Sequence, residues 1–367
     1  MLLANCWYVV GASASVGVRP VAVQALGQEL VLFRRASDRR PVVLSGRCPH
    51  RLARLADGHV DGDVLRCPYH QWAFADDGVC VHVPSEPDGT RISPRAHVDS
   101  YPVVERDGWI WAFLGDRGEQ ERPPLPEGPA LDPTGWRTLR GECSWNDHFT
   151  RVVENAVDIA HTPFLHARSF GNPAAPVMPD HEVIEDAGSI SIDVSLAMPN
   201  PGGLTRLLFP GGLNRVRLGV APPAVNWLDA TFPNGWRMVL VLANLPVDEG
   251  RTRTFWMQHR NFLTSPLADP IARALTRQIL GEDLQTVEGQ GASPVPLSVA
   301  EELSTRSDVL SLAYRRRLAA MQADRLDTGA AERVAAAGRF LAVASPARRD
   351  TPGAWVVPAV PRGGPGG

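Results

Sequence analysis

Short runs of β-branched and aromatic residues recur through the first 115 residues, at Trp7–Val10, Leu30–Phe33, Val42–Leu44 and Trp109–Leu114, with Gly, Asp and Pro between them. This pattern predicts a mostly β region. From Leu114 to Pro133 the apolar periodicity stops. That stretch is charged and carries Pro123, Pro124, Pro126, Pro129 and Pro133, the composition of a connection between domains. Beyond Trp136 the two periods mix. Strands are expected at Ser189–Ala197, Val216–Val220, Arg237–Leu242 and Thr252–His259, and helices over Arg151–His161 and from Pro270 to about Val287. Pro270 suits a first helical turn, where a missing N–H costs no hydrogen bond. A last helix starts near Ser307, with Leu310, Tyr314, Leu318 and Met321 along one face. Arg315, Arg316 and Arg317 on it read as a solvated face. Asp350–Gly367, rich in Pro and Gly, reads as a disordered tail.

Composition narrows the chemistry. The 367 residues are 44% hydrophobic and 21% charged with a formal net charge of -3, as in a globular protein without a nucleic-acid-binding balance. All 37 basic side chains are Arg. Without Lys there is no amine nucleophile for Schiff-base chemistry and no P-loop lysine. No apolar run approaches the roughly 18 residues of a membrane span. Met1–Val10 is apolar but short, with neither a basic leader nor a small-residue cleavage site, so a first strand is expected there rather than a signal peptide. The five cysteines are too sparse for a disulfide framework, and a reducing cytoplasm is expected.

Two constellations carry the candidate chemistry. Cys48-Pro-His50 is followed after 16 residues by Cys67-Pro-Tyr-His70, with turn signals at Asp57-Gly58 and Asp61-Gly62 between the arms. A Cys2His2 zinc site usually pairs like with like in each arm. Here each arm carries one Cys and one His, the pattern of a Rieske [2Fe–2S] cluster, in which two Cys hold one iron and two His the other. The second constellation is Asn155-Ala-Val-Asp158-Ile-Ala-His161-Thr-Pro-Phe-Leu-His166. On a helix Asp158 and His161 share a face, and Pro163 disfavours helix at Thr162, turning the chain so that His166 folds back. Two His plus a carboxylate make the facial triad of non-haem Fe(II) oxygenases.

These residues resemble the Rieske-type aromatic-ring-hydroxylating oxygenases. Cys48-x-His50…Cys67-Pro-Tyr-His70-x-Trp72 is similar to that family's cluster motif, with Gln71 where the family usually has Gly. Ala53 and Tyr69 stand where high-potential respiratory Rieske proteins have a disulfide clasp. Asn155-x-x-Asp158-x-x-His161-x4-His166 matches the family's iron motif at every fixed position. The resemblance implies iron-ligand roles for His161 and His166, and for Asp158 a bridging role between iron site and cluster. Glu282-Asp283-x4-Glu288-x-Gln290 resembles the signature supplying the third ligand, which implies Asp283. Glu282, Glu154 and Asp147 are rivals, and Glu282 and Glu288 read as exposed helix charge.

The implied fold is α+β: an all-β Rieske domain over 1–118, a linker over 119–134, an α+β catalytic domain with a central antiparallel sheet (helix-grip, START-like) over 135–325, and a C-terminal helix and Pro/Gly-rich tail over 326–367. The implied activity is that of a terminal oxygenase. It uses O2, a mononuclear Fe(II) and electrons relayed by the cluster to hydroxylate or demethylate a small aromatic or heterocycle. No Gly-x-Gly-x-x-Gly follows a strand and no ferredoxin-type Cys spacing occurs. NAD(P)H electrons are therefore expected through a separate reductase, with or without a ferredoxin. A homotrimer is the family expectation. Asn5-Cys-Trp-Tyr8-Val and Arg260-Asn-Phe262 look most like the vanillate and dicamba demethylase branch. Phe209, Asn226, Trp227 and Trp256 are candidate pocket residues. A Rieske electron carrier without turnover and a zinc-stabilised binding protein are the competing classes.

Overall fold

A computed structural model describes residues 1–131, 134–198, 212–298, 300–353 and 355–363. Phe209 lies outside the described residues. The chain forms two compact units. The first comprises Met1–Leu125, Leu245–Glu249 and Met321–Gly367, and the second Pro126–Asn244 and Gly250–Ala320.

The first unit is built on three small antiparallel sheets. One orders Cys6–Ala12, Trp109–Leu114 and Val103–Arg106, and a second orders Val21–Ala25, Gln28–Arg34, Pro41–Ser45 and Ser100–Tyr101. The third orders His59–Asp61, Val64–Arg66, Ala73–Phe74 and Cys80–His82. Val31, Phe33, Leu44, Leu65 and Phe74 form a core that also takes in Cys48, Cys67 and Cys80. The two arms of the first motif thus leave the ends of strands whose alternate side chains hold that core. The tail read as disordered is ordered over its described part. Arg348 pairs with the buried Asp99 at 2.7 Å and donates to Val357 O, while Val360 N donates to Ala342 O. A Pro-rich tail has few N–H groups to give, so side-chain ion pairs and single bridges fix it in place of a ladder.

The second unit carries a seven-stranded sheet, ordered Arg137–Trp145, Arg251–Arg260, Arg237–Asp248, Val225–Thr231, Gly212–Ala221, Ile190–Met198 and Ile184–Glu185. The four predicted strands are present. Arg137–Trp145 and Val225–Thr231 were not expected. In the first, charged residues and Gly141 break the apolar alternation; the ring of Trp256 covers Gly141 so closely that a Cβ would lie 2.2 Å from it. Helices α1 (Phe149–Val157), α2 (Thr162–Leu165), α3 (Asp269–Glu288) and α4 (Val309–Ala320) complete the unit.

Helix α1 stops four residues short of the predicted end. Asp158 is extended, with φ -74 and ψ 123, and its Oδ1 accepts from Ala160 N at 2.7 Å. That side-chain bond replaces the helical one and turns the chain. Thr162, expected to be non-helical, opens α2 with Pro163 in the first turn, where its missing N–H is harmless. Arg315 is another correction. It is buried on α4 against Glu154 and Glu302, because positions 311, 314, 315 and 318 share the inward face.

Candidate metal centres

In the first unit, Cys48 follows the strand Pro41–Ser45, and Cys67 and His70 sit at the turn between Val64–Arg66 and Ala73–Phe74. Cys48 and Cys67 are each 1% exposed, and their thiols meet. Burial pushes the Cys48 thiol up to about 12, against the pull of the His50 backbone N–H. A thiolate there therefore needs a cation beside it. The imidazoles of His50 and His70 lie 4.5 Å apart, and His50 stacks on Trp72 at 4.6 Å. His50 Nδ1 is buried with no partner. Two buried sulfurs and two imidazoles, one with an orphaned nitrogen, fit a cluster held by two Cys and two His. Both arms turn through the left-handed region on non-glycine residues, Leu52 at φ 59 and Gln71 at φ 57. Gln71 thus takes up the conformation for which glycine is ordinarily used.

In the second unit, α1, the turn after it and α3 bring His161, His166 and Asp283 together. His161 Nε2 and His166 Nε2 are 3.3 Å apart, and Asp283 Oδ1 is 3.6 Å from the first and 3.3 Å from the second. The turn is tight. The N–H groups of Ser169, Phe170 and Gly171 all reach His166 O, and a Cβ on Gly171 would lie 2.3 Å from Thr162 O.

Protons decide what this triangle can hold. His161 Nδ1 faces Asp158 Oδ2 at 3.3 Å, and His166 Nδ1 faces Glu282 Oε2 at 2.9 Å. Each imidazole therefore carries its hydrogen on Nδ1 and presents a bare Nε2. Asp283 Oδ1, buried, has no hydrogen-bond partner. Three lone pairs thus converge with no donor among them, an arrangement suited to a metal cation. Their spacing matches a face around an ion with bonds of about 2.1 Å. Burial raises the Asp283 carboxyl, against the opposing pull of His166 and His161. Burial lowers His161, but Asp158 and Asp283 outweigh it and the net shift is upward.

Glu282 and Glu288 are not the exposed charges expected. Glu282 takes hydrogen bonds from Ser169 Oγ at 2.7 Å and Gln278 Nε2 at 3.0 Å besides His166, and Glu288 accepts from Asn146 N at 2.7 Å. Adjacent helix positions both serve the site, because an imidazole has two nitrogens and each takes its own carboxylate. The rivals lie elsewhere: Glu154 is paired with Arg315, and Asp147 caps the backbone of His148.

A cavity of about 880 Å3, including its open mouth, lies over the triangle. Alternate residues along the sheet line it, among them Asn226, Leu228 and Ala230, so the helices and the sheet enclose an apolar space with His161, His166 and Asp283 at one end. Trp227 points to the other face, over Gly219, and Trp256 packs with Trp145 and Leu280. Of the four candidate pocket residues, Asn226 alone among the three described lines the cavity.

Residues 6–102 match the Rieske [2Fe-2S] domain and residues 145–324 the vanillate O-demethylase oxygenase C-terminal domain. The chain is 31% identical over 277 residues to 4beta-methylsterol monooxygenase of Methylococcus capsulatus, covering 73% of this chain and 70% of that protein. It is also 31% identical over 175 residues to the toluene-4-sulfonate monooxygenase system iron-sulfur subunit TsaM1 of Comamonas testosteroni, covering 48% of this chain and 50% of that protein. The match thus spans about half the length of that relative. The fold superposes on Pseudomonas putida CBB5 NdmA with caffeine at a TM-score of 0.74 and 26% identity, over 85% of this chain and 89% of that one. Among the described residues no helix is long and apolar enough to cross a membrane.

Proposed function

Because this chain belongs to the Rieske-domain oxygenases of the vanillate O-demethylase type, we propose that it is a terminal oxygenase acting on a small aromatic or heterocyclic substrate by hydroxylation or oxidative demethylation. The observation that carries this reading is the donor-free triangle of His161, His166 and Asp283 beneath an apolar cavity. In this assignment those three residues hold a mononuclear Fe(II). Cys48 and Cys67 hold one iron of a Rieske cluster, and His50 and His70 the other. When bound, these groups supply one-electron transfer and an O2-binding metal with open positions.

The chain's own residues set the conditions for that chemistry. Asp158 keeps the proton of His161 on Nδ1, and Glu282, itself held by Ser169, keeps that of His166. Both rings are thereby locked with Nε2 toward the metal. The cavity wall excludes water and orients a flat, mostly apolar substrate. Electrons come from NAD(P)H through a separate cytoplasmic reductase, with or without a ferredoxin. In a head-to-tail homotrimer Asp158 would link one subunit's cluster to the next subunit's iron.

Metal analysis with an absorption spectrum tests the reading. The purified protein should be red-brown with about three irons per chain. His161→Ala should lose one iron and keep the cluster spectrum. Asp158→Asn should keep both centres and lose reductase-driven turnover. Zinc in place of iron, or a two-iron chain without the mononuclear site, would replace the oxygenase by a zinc-stabilised protein or a plain electron carrier.

A further inference from the structure

The sheet wall of the cavity contributes aliphatic and aromatic side chains and one polar residue, Asn226, which is 2% exposed. Its amide ends a buried chain of hydrogen bonds that starts at a group able only to donate. Trp145 Nε1 donates to Thr254 Oγ1 at 2.8 Å. Thr254 in turn gives its own proton to Asn244 Oδ1 at 2.6 Å. Asn244 must then turn its Nδ2 outward, where it donates to Ala224 O at 3.1 Å and to Asn226 Oδ1 at 2.8 Å. Trp145, Thr254 and Asn244 are each at most 3% exposed, so water does not compete for these bonds. Ala224 O can only accept, so Asn244 keeps its Nδ2 toward Ala224 and Asn226, with Thr254 donating to its Oδ1, and both amides are fixed in one of their two flips.

Asn226 Oδ1 is consumed from within, and its NH2 group is the part left for the cavity. We propose that Asn226 is a specificity-determining residue that presents a fixed N–H donor to the substrate, and that Thr254 and Asn244 are positioning residues that forbid the opposite flip. The substrate class follows. It is a flat ring system bearing an uncharged acceptor oxygen, such as a ketone, amide or imide carbonyl, on the side away from the reacting carbon. A carboxylate is disfavoured, because no Arg lines the cavity among the described residues and the chain has no Lys. An apolar ligand of similar shape would leave this donor unpaired, which is where a hydrogen-bonding site discriminates most. The inference rests on the oxygenase reading for the orientation of the substrate, with its reacting carbon toward His161 and His166.

Three ligands of similar size test it by equilibrium binding to the holoenzyme under anaerobic conditions: 4-methoxyacetophenone, 1-ethyl-4-methoxybenzene and 4-methoxybenzoate. The ketone should bind about tenfold tighter than the ethyl compound, and the benzoate weakest of the three. Asn226→Leu should erase the ketone preference, and Asn226→Asp, which keeps the shape but offers an acceptor, should reverse it. Thr254→Val, remote from the ligand, should cut the ketone preference to threefold or less, with the ethyl compound bound as before and Thr254→Ser restoring the preference. Equal binding of ketone and ethyl compound by the native protein, an unchanged ratio in Asn226→Leu, tightest binding of the benzoate, or no binding of any probe at 10 mM would each overturn the proposal. Iron content of the same preparations separates the two readings. A full metal complement without donor preference removes this inference alone, and a donor preference on a chain that binds no iron removes the oxygenase reading alone.

Discussion

The candidate ligands stood out in the sequence because their types are rare and their spacing specific. His50 lies against His70 and Cys48 against Cys67, and the ligand atoms of His161, His166 and Asp283 converge within 4.8 Å of one another. What spacing did not reveal is the support around them. Helical spacing, in which adjacent positions diverge by about 100°, lets Asp283 alone face the Nε2 atoms of both His161 and His166. It misses that Glu282 reaches the far nitrogen of the His166 imidazole. Gln71 is legible as an oddity in sequence and explicable only in structure, where its φ of 57 shows the strain of a Cβ in a left-handed turn. Gln71→Gly should therefore stabilise the first unit by about 1 kcal/mol, read as a higher midpoint in denaturant. A midpoint lowered by a similar amount would mean that the loop gains more from Gln than the backbone loses.

At the scale of elements, strands with β-branched runs declared themselves, and Trp109–Leu114 is observed with the predicted bounds. Strands and helix ends decided by tertiary contacts did not. Arg137–Trp145 exists because its neighbour Arg251–Arg260 pairs with it along nine positions, not because its own pattern alternates. Helix α3, which carries Asp283, is pinned at its first residue. Asp269 takes bonds from Arg137 Nε at 3.1 Å and from the buried Arg260 Nη2 at 2.7 Å. Those bonds, Arg137's first, pull the Asp269 carboxyl down to about 2. A depressed carboxylate stabilises the fold above its unfolded value near 4. That contribution fades as pH falls toward about 2. The stability gap between the native chain and Asp269→Asn should thus be constant near neutrality and close progressively below pH 4, as followed by urea midpoints; a gap independent of pH would remove the ion pair from the account. Helix α4 is held differently. Arg315 is bidentate to Glu154 at 2.6 and 2.9 Å and reaches Glu302 at 2.6 Å. Arg315→Met removes one of two guanidiniums from Glu154 and Glu302, which keep Arg151 at 3.6 and 2.7 Å, and should cost about 1–3 kcal/mol, measured by thermal or urea unfolding. A cost below 1 kcal/mol would make the cluster a surface pair in energetic terms.

For the whole molecule, the sequence indicated a division of labour without saying where electrons pass. The sulfur and imidazole site is in one unit and the triangle in the other, and neither contains a nicotinamide or flavin motif. Hydrophobic periodicity describes how a chain covers its own core, so it is silent on which surface meets another subunit. A subunit-mixing experiment reads that directly. His70→Ala should retain the mononuclear iron and lose the cluster, and Asp283→Ala should do the reverse. Neither alone turns over. If electrons pass only within a chain, equal co-expression of the two stays inactive, because no chain has both centres. If each subunit's cluster serves the next subunit's iron in a closed ring, an intact cluster meets an intact iron at about one junction in four under random assembly. The mixture should then show about a quarter of the native turnover per chain, and the activity should vanish when the two variants are purified separately and mixed under conditions where subunits do not exchange. Zero activity in co-expressed, fully assembled protein would place the electron path inside one chain and remove the head-to-tail ring from the proposed function, while leaving both metal assignments intact.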